Sequence, residues 1–401
     1  MESKAYDPQP TKNSSFKILS LPNELIIEIL LRLPVKSLLQ FKCVSKFWLA
    51  VISSPEFVKT HLRISANNDE GYPHHRLMLK LSYPRYNLMD CSVSSLLYDS
   101  VAARAVDSLL KNPDLPTEFT EGRPSVTRIY RGTPSVLGFD LDYPMIDPRG
   151  HEFICVLGSV NGLFCFSIPI PGDFIIWNPS IRKFKKLPNP KRECCYMYGF
   201  GYDELHEDYK VVSVCSSNEV NIYGLNSDSW RRNIDDDFPS WRRLDKSEGI
   251  FVNGKLHWAN NTSENNRSYI SWSIICIGLA DGKWGKMELP CFREKDSDDI
   301  MPCISMVGSD LCVSCNSESS HTDVWIMKEY GFKESWTKMF TIKRPHNVYL
   351  VSPFFCTSDK SEFLFKFDQL AWFTIKRMTP SDIKRLPTLP SSGMQKSTLK
   401  A

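Results

Sequence analysis

Several things are missing from this 401-residue sequence, and each absence removes a class of function. No run approaches the ~20 apolar residues that a membrane span needs. The richest stretch, LIIEILLRL, carries Glu28 and Arg32. Charge of one sign is missing too: 49 basic and 46 acidic residues leave +3, which is no footprint for nucleic acid and no acidic tail. The first residues, MESKAYDPQPTKNSSFK, lack the apolar core of a signal peptide, so secretion is not expected. Regular cysteine spacing is absent. Thirteen scattered cysteines fit reduced thiols and a cytoplasmic or nuclear location.

Catalytic signatures are missing as well. There is no P-loop, no HExxH and no GxSxG. Gly199–Phe200–Gly201 lacks a third glycine and a following helix, and the serine of GSVNG stands one place early for a nucleophile elbow. Cys312 and Cys315 form a CxxC with Cys291, Cys303 and His321 nearby, so zinc is conceivable. DLCVSC reads as a strand, however, and residues three apart on a strand point to opposite faces, which favours buried strand cysteines. Cys194–Cys195 reads as packing, Asp235–Asp236–Asp237 as a solvated turn, and His257 beside Trp258 as strand core. No catalytic, cofactor or metal residue is assigned, and the chain is expected not to be an enzyme.

What is present begins with helix. Residues 1–16 are polar and read as a disordered tail. Leu21–Pro22 then opens a helical stripe at Leu25, Ile26, Ile29, Leu30 and Leu33, stopped by Pro34. A second stripe follows at Val35, Leu38, Leu39, Phe41 and Val44. A third covers Phe47 to Ile52 and closes at Ser53–Ser54–Pro55, and EFVKTHL is expected to add one turn. About 45 residues is near the lower limit for independent folding, so this greasy unit is expected to find burial on a partner. The alternative is a free-standing helical core.

Residues 64–75 read as a linker and RLMLKLSY as a strand. The stretch 99–150 reads as a long loop with one short helix in SVAARAVDSLLK. From about 151, β-branched and aromatic runs alternate with turn residues, as in an all-β domain. A unit repeats. Trp177 and Phe184, Tyr223 and Trp230, and Ile277 and Trp284 are each seven apart; Met327 and Trp336 are nine apart, and the fifth unit has Asp382 at the matching place. The markers Trp177, Tyr223, Ile277, Met327 and Ile375 are spaced by 46, 54, 50 and 48, near the length of a kelch-type propeller blade. Nine of ten tryptophans lie between 177 and 372, as expected if large aromatics fill the space between blades. A β-sandwich whose hairpins merely look alike is the competing architecture.

These pieces resemble a family. Residues 18–62 are similar to the F-box, through Leu21–Pro22, Glu24, Ile29, Leu30 and LPVKSLLQFKCVSKFW. From about 151 the chain resembles the F-box-associated domain of plant F-box proteins, through GSVNGLFCF, WNPSIRKFKKLP, GFGYDELHEDYKVV, YGLNSDSW, VNGKLHW and DVWIMKEYGFKESW. The last piece also looks like the S-locus F-box branch, whose members act in pollen self-incompatibility. The stretch 99–150 departs from the family pattern, as does the fifth unit. The expected fold is α+β and multidomain: a small three-helix F-box over 17–63, then a large all-β, propeller-like domain over 76–388, with a disordered tail at 389–401.

The resemblance implies a function. The F-box docks on the Skp-family adaptor, and through it on cullin and RING subunits of an SCF-type ubiquitin ligase. The implied adaptor surface is Leu21, Pro22, Leu25, Ile29, Leu30, Leu33, Pro34, Lys36, Ser37, Leu38, Cys43, Val44 and Trp48, shared between internal packing and the adaptor. Lys36, Lys42 and Lys46 either face outward or meet an acidic adaptor. The β domain would hold an unknown protein for ubiquitination, with no nucleic acid or membrane as partner. Arg231, Arg232, Trp241, Arg242 and Arg243, from one loop-rich stretch, are its candidate anchors. Alternatives are adaptor binding outside a ligase and recognition of S-locus ribonucleases. A propeller enzyme would need His, Asp or Glu recurring at matched blade positions, and no such set recurs in the sequence.

Overall fold

The computed structural model describes residues 21–67, 76–82, 86–99, 139–140, 155–168, 173–188, 195–215, 219–233, 247–262, 271–290, 300–317, 321–343, 348–357, 362–369 and 373–378. The chain divides into two compact units, Met1–Asn68 and Asp69–Ala401. No helix among the described residues is long and apolar enough to cross a membrane.

The first unit is four helices: α1 (Asn23–Leu31), α2 (Val35–Phe41), α3 (Lys46–Ser53) and α4 (Pro55–Asn67). Prolines 22 and 34 stand just before α1 and α2, where a missing N–H is harmless. Ser45 caps α3, its Oγ accepting from the Trp48 amide at 3.1 Å. Each helix contributes one buried residue to a small core: Leu30, Leu38, Ile52 and Phe57.

The fourth helix corrects the expectation of one extra turn and of a linker from residue 64. Ser54–Pro55 ends α3 and also starts α4. Ser54 Oγ accepts from the Phe57 amide at 3.2 Å, and Pro55 takes the first helical position. Phe57 and His61, four apart, then lie on one face. His61 Nε2 bonds the Leu33 carbonyl at 2.8 Å, tying α4 to the turn after α1.

The second unit opens with a three-stranded sheet, β1 (Arg76–Ser82), β2 (Tyr86–Ser92) and β3 (Phe139–Asp140), with α5 (Val93–Tyr98) following β2. The helix expected in SVAARAVDSLLK lies outside the described residues; the one described, α5, is seven residues earlier at its start.

The rest is serial meanders. They are β4–β7 (Cys155–Val160, Leu163–Ile168, Asp173–Asn178, Lys183–Lys186) and β8–β11 (Cys195–Asp203, Asp208–Cys215, Val220–Gly224, Ser229–Asn233). Next come β12–β15 (Ser247–Val252, Lys255–Thr262, Ser271–Gly278, Trp284–Met287) and β16–β19 (Ile300–Val307, Asp310–Ser317, His321–Met327, Trp336–Lys343). Last are β20–β22 (Val348–Cys356, Phe363–Gln369, Phe373–Met378). Within each meander, neighbours pair antiparallel in chain order. The first strands β8 and β12 pair in parallel, with Gly199 opposite Gly249, and join two meanders into one eight-stranded sheet. β4 lies beside β8, and β16 beside β12 and β20.

The repeat units of the sequence are the third and fourth strands of each meander. Trp177 faces Phe184, Tyr223 faces Trp230, and Ile277 faces Trp284 directly across their hairpins. At the fifth residue after each marker the backbone is left-handed: Arg182 at φ 54°, Asp228 at 48° and Gly282 at 70°. The partner expected for Ile375, Asp382, lies outside the described residues.

Packing decides between propeller and sandwich. A sandwich would bury its hairpins in one shared core. Here Leu157 and Phe174 of the first meander cluster with Val211 and Tyr223 of the second. Val212 and Val214 of the second cluster with Trp258 and Ile277 of the third. Leu289, following the third, clusters with Val313 and Trp336 of the fourth, and Cys312 and Val324 of the fourth with Phe363 and Phe365 of the fifth. Each meander covers its successor, which is propeller-like radial repetition.

Candidate functional site

Two surfaces stand out, one on each unit. On the helical unit, Leu21, Leu25 and Ile29 succeed one another at four-residue spacing and are 54, 47 and 51% exposed. Leu30, their neighbour in sequence, is fully buried. The apolar stripe of α1 is therefore wider than the core beneath it, and one edge faces water. Val44, Phe47, Leu49 and Val58 are likewise large, apolar and exposed. Pro22, Pro34, Lys36 and Cys43 are exposed, and Leu33, Ser37 and Trp48 half-buried. Trp48 meets Phe41 edge to face at 5.4 Å.

On the β unit, a cleft of about 450 Å³ lies between the second and third meanders. Two side chains bridge it. Lys210 Nζ donates to the Leu279 carbonyl at 2.6 Å, and Asn233 Nδ2 to the Gly282 carbonyl at 2.7 Å. Lys210 also pairs at 2.6 Å with Asp203, which is almost fully buried and is bonded by His206 Nδ1 at 2.7 Å. Burial opposes charge on Asp203, but hydrogen bonds from Lys210 and His206 outweigh it and hold the carboxyl below its ordinary range.

Residues 18–60 match the F-box domain, and residues 147–378 match the F-box associated beta propeller domain. The chain belongs to the F-box proteins with an associated beta propeller. Its relatives include an F-box/kelch-repeat protein of Arabidopsis thaliana, 30% identical over 83% of this chain and 82% of that one. The Arabidopsis F-box protein CPR1 is 27% identical over 95% of this chain and 88% of its own length.

Within the F-box, the residues implied as adaptor contacts separate by burial, with Leu33, Ser37 and Trp48 half-buried between the two extremes. Leu30 and Leu38 belong to the internal core; Leu21, Pro22, Leu25, Ile29, Pro34, Lys36, Cys43 and Val44 are on the surface. Lys46 is exposed and Lys42 half-buried. Phe47, Leu49 and Val58 are exposed as well, although they lie outside the implied adaptor set. They are the apolar residues left over once each helix has given one residue to the core.

Within the propeller, Arg231 and Arg232 are exposed, but on strand β11 rather than in a loop. The hydrogen-bonded ladder with β10, including Arg231 opposite Ile222, fixes them there. Trp241, Arg242, Arg243, Asp235–Asp237, Cys194 and Cys291 lie outside the described residues. GFGYDELHEDYKVV carries Asp203, His206 and Lys210, but their spacing alone does not mark them as a group beside a cleft.

Cys312 packs into the cluster shared with β20–β22 and Cys315 into the one shared with β12–β15, so the two sulfurs lie on opposite faces of β17. Burial pushes the Cys312 thiol up to about 12, which leaves it inert at neutral pH. Cys315 is disulfide-bonded, a departure from the expectation of reduced thiols throughout, while Cys43, Cys165, Cys276 and Cys312 are free.

His257 is strand core, as its sequence context suggests. It is fully buried on β13, its Nδ1 donating to the Ile250 carbonyl at 3.1 Å. That tautomer leaves Nε2 to accept from the Tyr330 hydroxyl at 2.7 Å, which links the third blade to the fourth.

Proposed function

We propose that this chain is the substrate-recognition subunit of an SCF-type ubiquitin ligase. Its F-box binds a Skp-family adaptor that leads to cullin and RING subunits, and its propeller binds a protein to be ubiquitinated. The observation that carries this reading is the exposed apolar edge Leu21–Leu25–Ile29 on a unit that matches the F-box. Burying such an edge on a partner is favourable by roughly 25 cal/mol per Å² before association costs. The chain then contributes proximity and orientation, while other subunits supply the transfer chemistry.

The test is co-purification of the full chain with the adaptor, comparing wild type with a Leu25→Asp, Ile29→Asp variant. Adaptor, cullin and RING subunits recovered with wild type alone support the reading, provided that a protein held by the propeller is ubiquitinated in the same complex. Adaptor recovery without ubiquitination points to a role outside the ligase. Equal adaptor recovery with the variant sinks the docking surface.

A further inference from the structure

The cleft between the second and third blades is built from turns that leave the sheet at one end. β8 and β12 run parallel, and strands alternate in direction within each meander. The β8–β9, β10–β11 and β14–β15 turns therefore emerge on the same face, and all three line the cleft. Leu205, at the tip of the first turn, is 76% exposed.

The outer wall is β11. Side chains alternate along a strand, so Arg231 and Asn233 share a face, while Arg232, which also lines the cleft, points to the other and is held by Glu219. Asn233 reaches across to Gly282 on the third blade, so the Arg231 face is the one turned toward the cleft. Ile222, the cross-strand partner of Arg231, lines the cleft as well.

The charged groups around the cleft are engaged, with one exception. Lys210 is held by Asp203 and the Leu279 carbonyl. His206 bonds Asp203. Asp208 Oδ1 accepts from the Asn226 amide at 2.9 Å, and Asp281 Oδ1 from the Lys283 amide at 3.1 Å. Arg232 pairs with Glu219 at 3.3 Å. Arg231 has no ion-pair partner among the described residues. A guanidinium at the wall of a cleft with bound neighbours is a donor waiting for an acceptor, and it matches a planar carboxylate bidentately. Asp208 and Asp281 would oppose a dianion more than a single carboxylate.

We propose that this cleft is the propeller's site for an acidic peptide segment. Arg231 takes a Glu or Asp carboxylate of the segment, and exposed Leu205 meets an apolar residue beside it. This rests on the reading of the propeller as a protein-binding module and narrows its substrate class.

The test uses the full chain and a phage-displayed library of random dodecapeptides. Recovered peptides should be enriched in Glu or Asp next to an apolar residue. A synthetic recovered peptide, followed by fluorescence anisotropy, should lose at least about tenfold in affinity when its acids become Gln or Asn. Arg231→Ala should cause a similar loss, Arg231→Lys a smaller one, and Arg232→Ala little change. Failure to recover acidic peptides, or equal binding by wild type and Arg231→Ala, overturns the proposal. Adaptor co-purification with the same variants reads the F-box separately, so failure of one does not carry the other with it.

Discussion

Met327 stands directly opposite Trp336 across a hairpin, nine residues along the chain, where Ile277 and Trp284 are opposite at seven. The two extra residues are absorbed by a longer turn that contains a short 3-10 segment, Lys333–Ser335, and the cross-strand pair is preserved. The cross-strand pair is kept in the first four meanders, and the turn is what varies. Trp336 also reaches the preceding blade, its Nε1 donating to the Glu288 carbonyl at 3.2 Å. Trp230 does the same to the Pro188 carbonyl at 2.5 Å. Trp230 and Trp336 thus fasten the second and fourth blades to the ones before.

That fastening is testable. Trp336→Ala should destabilise the propeller by about 3–5 kcal/mol, as for a large buried aromatic. Trp336→Phe keeps most of the packing and loses the hydrogen bond, so about 1 kcal/mol is expected. Urea denaturation followed by fluorescence measures both. A Phe variant as damaged as the Ala variant would show that the bond, rather than the packing, carries the contact.

In the F-box, surface and core substitutions should behave differently. Leu25→Asp with Ile29→Asp leaves the four-residue core intact, so helical circular dichroism should persist while adaptor binding is lost. Leu30→Asp or Leu38→Asp puts an unpaired carboxylate into that core, at a cost of several kcal/mol. Both signals should then vanish together. A binding-competent Leu25→Asp, Ile29→Asp protein would remove α1 from the interface.

His257 predicts a pH dependence. Burial drives its pKa down to about 4, against about 6.5 for an exposed imidazole. Between those values the unfolded chain binds a proton that the folded one does not. Stability therefore falls as pH drops through that window, by up to about 3 kcal/mol. The urea midpoint measured from pH 7.5 to 4.5 should decline. His257→Asn should be less stable at pH 7.5 and show a shallower decline. Identical slopes for the two proteins would assign the acid sensitivity to other groups.

Asn316 joins the fourth and fifth blades. It is buried, and its Oδ1 accepts from Thr322 Oγ1 at 2.9 Å and from the Val351 amide at 3.0 Å. Asn316→Ala orphans both donors and should cost about 1–3 kcal/mol. Amide exchange at Val351 should accelerate more than at Val212, which lies in the second blade. Uniform acceleration would mean that the blades open as one cooperative unit.

The close approach of first strands can also be probed. A Cβ on Gly249 would come within 2.6 Å of the Trp258 ring, and one on Gly199 within 2.6 Å of Leu256. Gly249→Ala should cost about 1–3 kcal/mol through overpacking. Gly254→Ala, in the β12–β13 turn, meets no atom but must hold a φ of 72°, so its penalty is purely conformational. Thermal melts of the two variants separate crowding from backbone strain.

The sequence by itself determined what depends on residues within about ten places of one another. The stripes of α1 to α3, the turns at Asn161–Gly162 and Asn253–Gly254, and the seven-residue aromatic pairs are local, because hairpins and helical turns close over such distances. Even there, Ser54–Pro55 read as an end, because a cap and a stop share the same residues and only α4 tells them apart. What the tertiary structure alone decided concerns which neighbour each side chain meets. Leu30 is buried while Leu25 and Ile29 beside it are exposed, although the helical pattern treats them alike, because one core residue per helix fills the space between four short helices. Cys312 and Cys315 part to different clusters, and Arg231 turns to a cleft while Arg232 turns to Glu219. Strand alternation already separates each of those two pairs, but which cluster or partner each member meets depends on strands of other blades, which local spacing does not encode.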